Sequence, residues 1–513
     1  MAAVTKSPPA SQRRLNILIL HANDELSRVR RTSFNHAFCL LKYAPEHSYE
    51  LHAFGGPITQ RLRQQRFHAI ILDTTFLCWR WALPREQTLD RILRDYAFVA
   101  DSDAVKIALP QDEYDHSAVL DDWLSAWRVD LVYSVCYAHR AVFYPKTAQR
   151  AEIIEGLTGF IDDADVALLS RLERPFPERA IEVGYRARRL PPYFGRFGRL
   201  KTEIGERFLS ACAGSDLKLD ISLDPGDALV GDDWLHFLAD CRFTLGCESG
   251  SSLLDPTGAI RSACLAYYSD HPEAGFAEVE AACFPGQDMQ RVYSAISPRL
   301  FEAALADTCQ ILVPGDYLGV LNPGEHYISL EADFSNIEMV KAELSDWPRA
   351  QQRVTACRAA LLGSERLTYR GFVRDLIAHI ERKQDEVRRL PADIMPARIG
   401  GIPSSDAERM HRFAELAVRI AENGRGDAKE SRETNSRQIA EELLSWVRPD
   451  FARLEALLQT RVLALETLMQ NKILAMENLI NDLRLQNAAM RESTSWKITA
   501  PFRALAKALR SWV

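Results

Sequence analysis

The stretch Ser297-Pro298-Arg299-Leu300-Phe301-Glu302-Ala303-Ala304-Leu305-Ala306-Asp307-Thr308-Cys309-Gln310-Ile311-Leu312-Val313-Pro314-Gly315-Asp316-Tyr317-Leu318-Gly319 reads as a helix feeding a sheet. Ser297 and Pro298 suit an N-cap and first helical position, Leu300, Ala303, Ala304 and Leu305 form an apolar stripe, and 309–313 is a buried strand stopped by Pro314-Gly315. Arg299 and Glu302, three apart near the helix start, share one face and point toward the loop ends of neighbouring strands. In open α/β sheets that is where ligands bind, and a carboxylate there can take two sugar hydroxyls.

The rest of the chain supplies matching sheets. With 513 residues there is length for roughly three domains. Strand-like runs at 15–21, 49–54, 68–72, 105–109 and 129–135 alternate with helical patterns at 29–43 and 85–99, which predicts a parallel sheet over a first domain, 15–160, closed by a helix-rich crossing from 144. Residues beyond such strands face the functional edge, and His21 and Asp112 are the candidates for chemistry there. A neutral histidine takes a hydroxyl proton near pH 7, and Asp112 can orient an acceptor or cap the next helix. Tyr137 and His139 are expected at the same edge.

A second α/β series, 178–384, opens with a strand at 180–186, a Pro- and Gly-rich loop, a helix from about 200 to 213 and a strand at 217–223. Arg186, Arg188, Arg189, Arg196, Arg199 and Lys201 crowd this strand, loop and helix, a local positive excess that suits a diphosphate. After the next strand, Glu248-Ser249-Gly250-Ser251 reads as a turn of small residues with backbone N–H groups free to meet an anion at a helix start. Segment 269–292 breaks the rhythm, 284–288 within it reads as a lid or loop, and Tyr317 is expected to border the ligand loop together with Gly319 and His326.

Several classes are excluded. A net charge of −7 and a pI near 6.0 speak against general nucleic-acid binding. Apolar runs fall far short of the about 20 residues that span a bilayer, and the start of the chain lacks a signal-peptide pattern. Ten scattered cysteines, with no Cys-x-x-Cys pair and no zinc spacing, read as buried thiols in a reducing cytoplasm. There is no dinucleotide fingerprint, P-loop or nucleophile elbow, so no cofactor is expected, and with fixed cations in the basic loop to stabilise a departing diphosphate no metal is required.

The order of basic loop, Leu-Gly-Cys-Glu-Ser-Gly loop, Arg-x-x-Glu helix, apolar strand and Gly-Asp-Tyr loop, over roughly 180–345, resembles the donor half of bacterial GT-B glycosyltransferases, in particular CgeB-like enzymes. The resemblance implies two Rossmann-like domains, an acceptor domain followed by a nucleotide-sugar domain. It implies that Glu302 holds the donor's ribose, that Arg186 and Lys201 neutralise the diphosphate, that Glu248, Ser249, Gly250 and Ser251 contact the donor beside Arg299 and Tyr317, and that His21 occupies the place of a base in some inverting members. The family's second acid, seven or eight residues before Glu302, is missing, because Ser294 and Ala295 fill those places.

Beyond 384 a linker and helix (385–437) lead to 438–490, where Leu454, Leu458, Val462, Leu465, Met469 and Ile473 recur at helical spacing and predict a coiled coil and a homo-oligomer. The end, 493–513, resembles the Ser-Trp-Arg-Leu-Thr-x-Pro tails of surface-polysaccharide enzymes and places Phe502, Leu505 and Leu509 on one helical face and Arg503, Lys507 and Arg510 on another, an interfacial pattern. The reading is therefore a cytoplasmic glycosyltransferase, peripheral on the inner membrane, with a nucleotide-sugar donor and a lipid-linked or polysaccharide acceptor. The alternative is a non-catalytic GT-B-derived scaffold in a polysaccharide assembly complex.

Overall fold

The computed structural model describes residues 14–22, 31–56, 58–82, 85–229 and 231–388. The expected coiled coil and basic tail lie outside the described residues. Six strands, β1 (Asn16–His21), β2 (Ser48–Ala53), β3 (Ala69–Leu72), β4 (Val105–Ala108), β5 (Leu131–Ser134) and β6 (Glu152–Glu155), form a sheet in the order β2-β1-β3-β4-β5-β6. Every pairing in it is parallel. β1, β3, β4 and β5 are buried on both faces, as helices on both sides of a parallel sheet require. The crossing from 144 was expected to be helical, yet it contributes β6. Its sequence Glu-Ile-Ile-Glu sits at the sheet edge, where only one neighbour is needed and charged ends stay wet.

The second sheet runs β13-β12-β9-β7-β8, from β7 (Ile181–Arg186), β8 (Leu219–Ser222), β9 (Cys241–Gly246), β12 (Cys309–Leu312) and β13 (Ile328–Ser329), again all parallel. Counted by sequence, its order 2-1-3-4-5 repeats that of the first five strands of the first sheet, so both are doubly wound. β10 (Ser249–Ser251) and β11 (Tyr293–Ala295) make a separate antiparallel ribbon.

The helix Tyr369–Arg388 falls largely inside the span expected for the second domain, but it packs on the first sheet and runs past 384. Tyr369, Phe372, Val373, Leu376 and Ile380 form its apolar stripe and bury against Ile17, Ile19 and Ile71. The opposite face of the same sheet, carrying Leu18, Leu20, Ile70 and Leu72, packs on Phe76 and Trp123. Tyr293 and Ala295 of the ribbon join that second cluster, so a piece of the second lobe is part of the core of the first. All ten cysteines are free thiols, and no described helix is long and apolar enough to cross a membrane.

Candidate functional site at the ends of the second sheet

In a doubly wound sheet the ligand crevice lies beyond the carboxyl ends of the strands, where the strand order reverses. In the second sheet that point lies between β7 and β9. β7 ends at Arg186, and β9 is followed by Cys247 and Glu248.

The helix Pro298–Leu305 delivers Arg299 and Glu302 to this edge, with Leu300, Phe301, Ala303, Ala304 and Leu305 buried beneath them. Both polar side chains converge on Trp234, at the start of the helix Asp232–Asp240. The Arg299 guanidinium lies over the indole ring at 5.0 Å, and the indole N–H donates to Glu302 Oε2 at 2.6 Å. Arg299 also donates to the carbonyl of Arg186. The other oxygen of Glu302 accepts from the Thr32 hydroxyl of the first lobe at 3.5 Å. A small recess lies here between the lobes, lined by Thr32, Asn35, Phe160, Asp165 and Glu302.

Lys201, on the helix Gly195–Ala211 that follows β7, donates to the Ser249 hydroxyl at 2.5 Å. Around Cys247, which burial pushes up to about 11, stand Lys201, Glu248 and Arg299, two cations and one acid acting on one thiol. The Glu248 carboxyl is raised, first by burial and then by Asp316, while the amides of Tyr317 and Asp316 and the Ser294 hydroxyl pull it down. Gly315 makes this seat possible: a Cβ there would stand 2.7 Å from Glu248 Oε2. The turn carrying the two amides places Tyr317 (φ 43°) and Leu318 (φ 58°) in the left-handed region, at a cost of roughly 1–2 kcal/mol each. The charge of Glu248 is also felt in the first lobe. After burial, Glu113 and Asp112, it is a cause of the raised Cys136 thiol.

The structure therefore gathers Lys201, Glu248, Ser249, Arg299 and Glu302 at one sheet edge, and it redefines other candidates. Arg186 is engaged by Asp220, at 2.8 Å, and lies 4.4 Å from the centre of the Phe237 ring. Three more of the six basic residues are paired locally: Arg189 with Glu206, Arg196 with Glu280, and Arg199 with Glu203. The small-residue turn is not an open anion cradle at a helix start, because Ser249, Gly250 and Ser251 are laddered to Ala295, Ser294 and Tyr293. The Ser251 side chain is buried against the Leu253 carbonyl. The Tyr317 ring is fully buried with its hydroxyl donating to the Val313 carbonyl, so only its backbone faces Glu248.

In the first lobe, His21 ends β1 as a buried ring, edge-on to Phe38 at 5.2 Å. Asp112, left-handed at φ 49°, accepts from the Tyr114 hydroxyl at 2.6 Å and does not cap the next helix. The side chain that sequence reasoning missed at this edge is its neighbour Glu113. It is buried and accepts from Ser134, Tyr144 and the amides of Val135 and Cys136, a fully bonded carboxylate under the functional edge. Trp234, Ser294 and Thr32 were also missed. No local pattern marks them, since each matters through a partner far along the chain. Among the described residues no group of three or more His, Cys, Asp or Glu side chains could hold a metal ion.

No protein-family model and no curated protein matches the chain. Solved structures similar to it include Anabaena Alr3699/HepE in complex with UDP-glucose, at 10% identity over 73% of this chain and 99% of that one, with a TM-score of 0.39. An alpha-glucosyltransferase in complex with UDP and a 13-mer DNA containing a HMU base matches at 10% identity over 72% of this chain and 99% of that one, with a TM-score of 0.42. An alpha1,3-fucosyltransferase with GDP-fucose matches at 10% identity over 75% and 94%, with a TM-score of 0.33.

Proposed function

We propose that this chain is a metal-independent GT-B glycosyltransferase that moves a sugar from a nucleotide-sugar to a lipid-linked or polysaccharide intermediate of a bacterial surface glycan: lipopolysaccharide, capsule or exopolysaccharide. The observation that carries the reading is the cluster at the β7/β9 reversal, where Lys201, Glu248 and Arg299 all act on the Cys247 thiol, Lys201 bonds Ser249, and Arg299 stands one helix turn from Glu302. Two cations and two carboxylates at one sheet edge suit a ligand with an anionic diphosphate and neutral hydroxyls. Glu302 takes the ribose hydroxyls, Lys201 and Arg299 the diphosphate, and Glu248 with Ser249 the transferred sugar. In the transfer the bond from the sugar's anomeric carbon to the diphosphate oxygen breaks, its electrons pass to the diphosphate, and the acceptor oxygen bonds to that carbon. The acceptor's proton leaves to a first-lobe group, His21 or Asp112. The cations stabilise charge that grows on the leaving group, which is where catalysis gains most. The apolar spacing at 438–490 supports a homo-oligomer, and the basic pattern of 493–513 supports attachment to the cytoplasmic face of the inner membrane.

Two observations favour a second reading, a non-catalytic scaffold: Arg186 is already matched by Asp220, and Ser294 and Ala295 stand where the resembled family has its second acid. Titration of the purified protein with UDP-, GDP- and dTDP-sugars, followed by an assay for sugar release, separates the two. Binding with turnover supports the transferase, whereas no binding, or binding without turnover, refutes it and supports the scaffold.

A further inference from the structure

The helix Ser117–Ala126 begins without a side-chain cap. A helix start leaves four N–H groups with no partner in the helix itself. Here they are met by the other lobe. The N–H groups of His116 and Ser117 donate to the Asp255 carbonyl at 2.6 and 3.4 Å, and those of Ala118 and Val119 donate to the Pro256 carbonyl at 3.0 and 3.4 Å. In return the Asp255 N–H donates to the Tyr114 carbonyl at 2.8 Å, and Asp115 and Asp255 form a parallel bridge.

A buried charged cluster backs these bonds. Asp115, His116 and Asp255 are each at most 5% exposed. Asp115 meets His116 Nδ1 at 2.6 Å with one oxygen and pairs with Arg261 through the other. The Arg261 amide donates to Asp255 Oδ2 at 2.8 Å, and its guanidinium lies 5.2 Å from the Trp81 ring and 4.9 Å from the Tyr193 ring. From the first lobe, the buried Arg80 and the indole of Trp81 donate to the Asp115 carbonyl. Gly258, left-handed at φ 82°, closes over His116, and a Cβ there would stand 1.9 Å from His116 Nε2.

This is the second of two joints. The first is the chain crossing, where Ile161 exchanges backbone bonds with Leu367 and Tyr369 and the helix Tyr369–Arg388 lies on one face of the first sheet. The second involves the helix Ser117–Ala126, whose Val119, Leu120 and Trp123 pack on the opposite face, together with Leu254, Tyr293 and Ala295 of the other lobe. Rotation about one joint must part the other, stripping helix N–H groups and buried charges of their partners.

We infer that the two lobes are locked and do not swing apart: residues 254–261, which the sequence assigns to the second lobe, are built into the first. The spacing between the two sheet edges is therefore preset before any ligand arrives. The inference rests on the joint alone and does not need the glycosyltransferase reading.

Amide hydrogen exchange on the full-length protein without ligand tests it, because local opening exposes amides that a permanent joint protects. The amides of residues 116–119 should exchange within about tenfold of those in β4 and β5. Exchange a hundredfold faster than those strands would show that the lobes part, and would overturn the inference. Arg261→Ala, which removes one of the two side-chain partners of Asp115, should speed exchange at 116–119 at least tenfold while leaving β9 unchanged, and Gly258→Ala should do the same by steric means. Unchanged exchange at 116–119 in both folded variants would also overturn it. Should either variant fail to fold, the wild-type measurement decides alone.

Discussion

Replacing Glu302 by alanine separates its structural work from its proposed work on a ligand. In the structure this carboxylate accepts the Trp234 indole N–H at 2.6 Å and the Thr32 hydroxyl at 3.5 Å. Removing it leaves the indole N–H without its acceptor, which costs about 1–3 kcal/mol in a buried setting. Trp234 is half-buried. Water can take over part of the bond, so a loss of about 1 kcal/mol is expected. A domain with an ordinary stability of roughly 5–15 kcal/mol remains folded after such a loss. If the same carboxylate receives the hydroxyls of a nucleotide's ribose, the variant also loses a charged hydrogen bond worth about 1.5–3 kcal/mol. That corresponds to a roughly 10- to 150-fold weaker dissociation constant. Trp234→Phe is the control: it removes the indole donor and keeps the carboxylate, so stability falls by a similar amount while nucleotide affinity changes less than about threefold. Urea denaturation measures the first quantity and calorimetric titration with the nucleotide-sugar that binds the wild type measures the second. A folded Glu302→Ala protein that binds this ligand as tightly as wild type refutes the assignment.

Lys201→Ala should lower the turnover number more than it weakens donor binding, because a cation at the leaving group counts most when charge develops there. Equal turnover in steady-state assays would return Lys201 to a purely structural bond with Ser249. The Glu248 carboxyl lies above its ordinary value chiefly because burial penalises its charge. A raised carboxyl contributes stability that is complete below the unfolded value and is lost as pH rises through the folded one. The stability of Glu248→Gln relative to wild type should therefore increase as pH rises upward from about 4.5, read from urea midpoints across that range. A flat difference would mean that the amides of Asp316 and Tyr317 fully offset the burial. Deletion of 493–513 should release the protein from anionic vesicles at low salt while leaving donor affinity unchanged, because each basic residue near such a surface contributes about 1 kcal/mol. Full-length protein that stays in the supernatant removes the membrane assignment.

The amino-acid sequence by itself determined the two parallel sheets. Runs such as Leu18-Ile19-Leu20 and Ile70-Ile71-Leu72 are apolar without alternation, so each strand needs cover on both faces, and the helical stripes between them provide it. Local chemistry also bounded the segment 298–312: Pro298 starts the helix and the strand that follows ends before Pro314. That Arg299 and Glu302 share a helix face follows from their spacing alone. What they meet does not. The Glu302 partner Trp234 is 68 residues away, and the carbonyls that finish the helix Ser117–Ala126 belong to Asp255 and Pro256. Ser249, Gly250 and Ser251 look like a free turn until Tyr293, Ser294 and Ala295 arrive to pair with them. β6 escaped notice for a related reason: an edge strand of four residues has too little apolar pattern to register, and its place is set by β5 beside it. Periodicity records which residues leave water, because burial is a property of the side chain. Hydrogen bonds and ion pairs are properties of two groups, and their partners are chosen only when the chain has closed on itself.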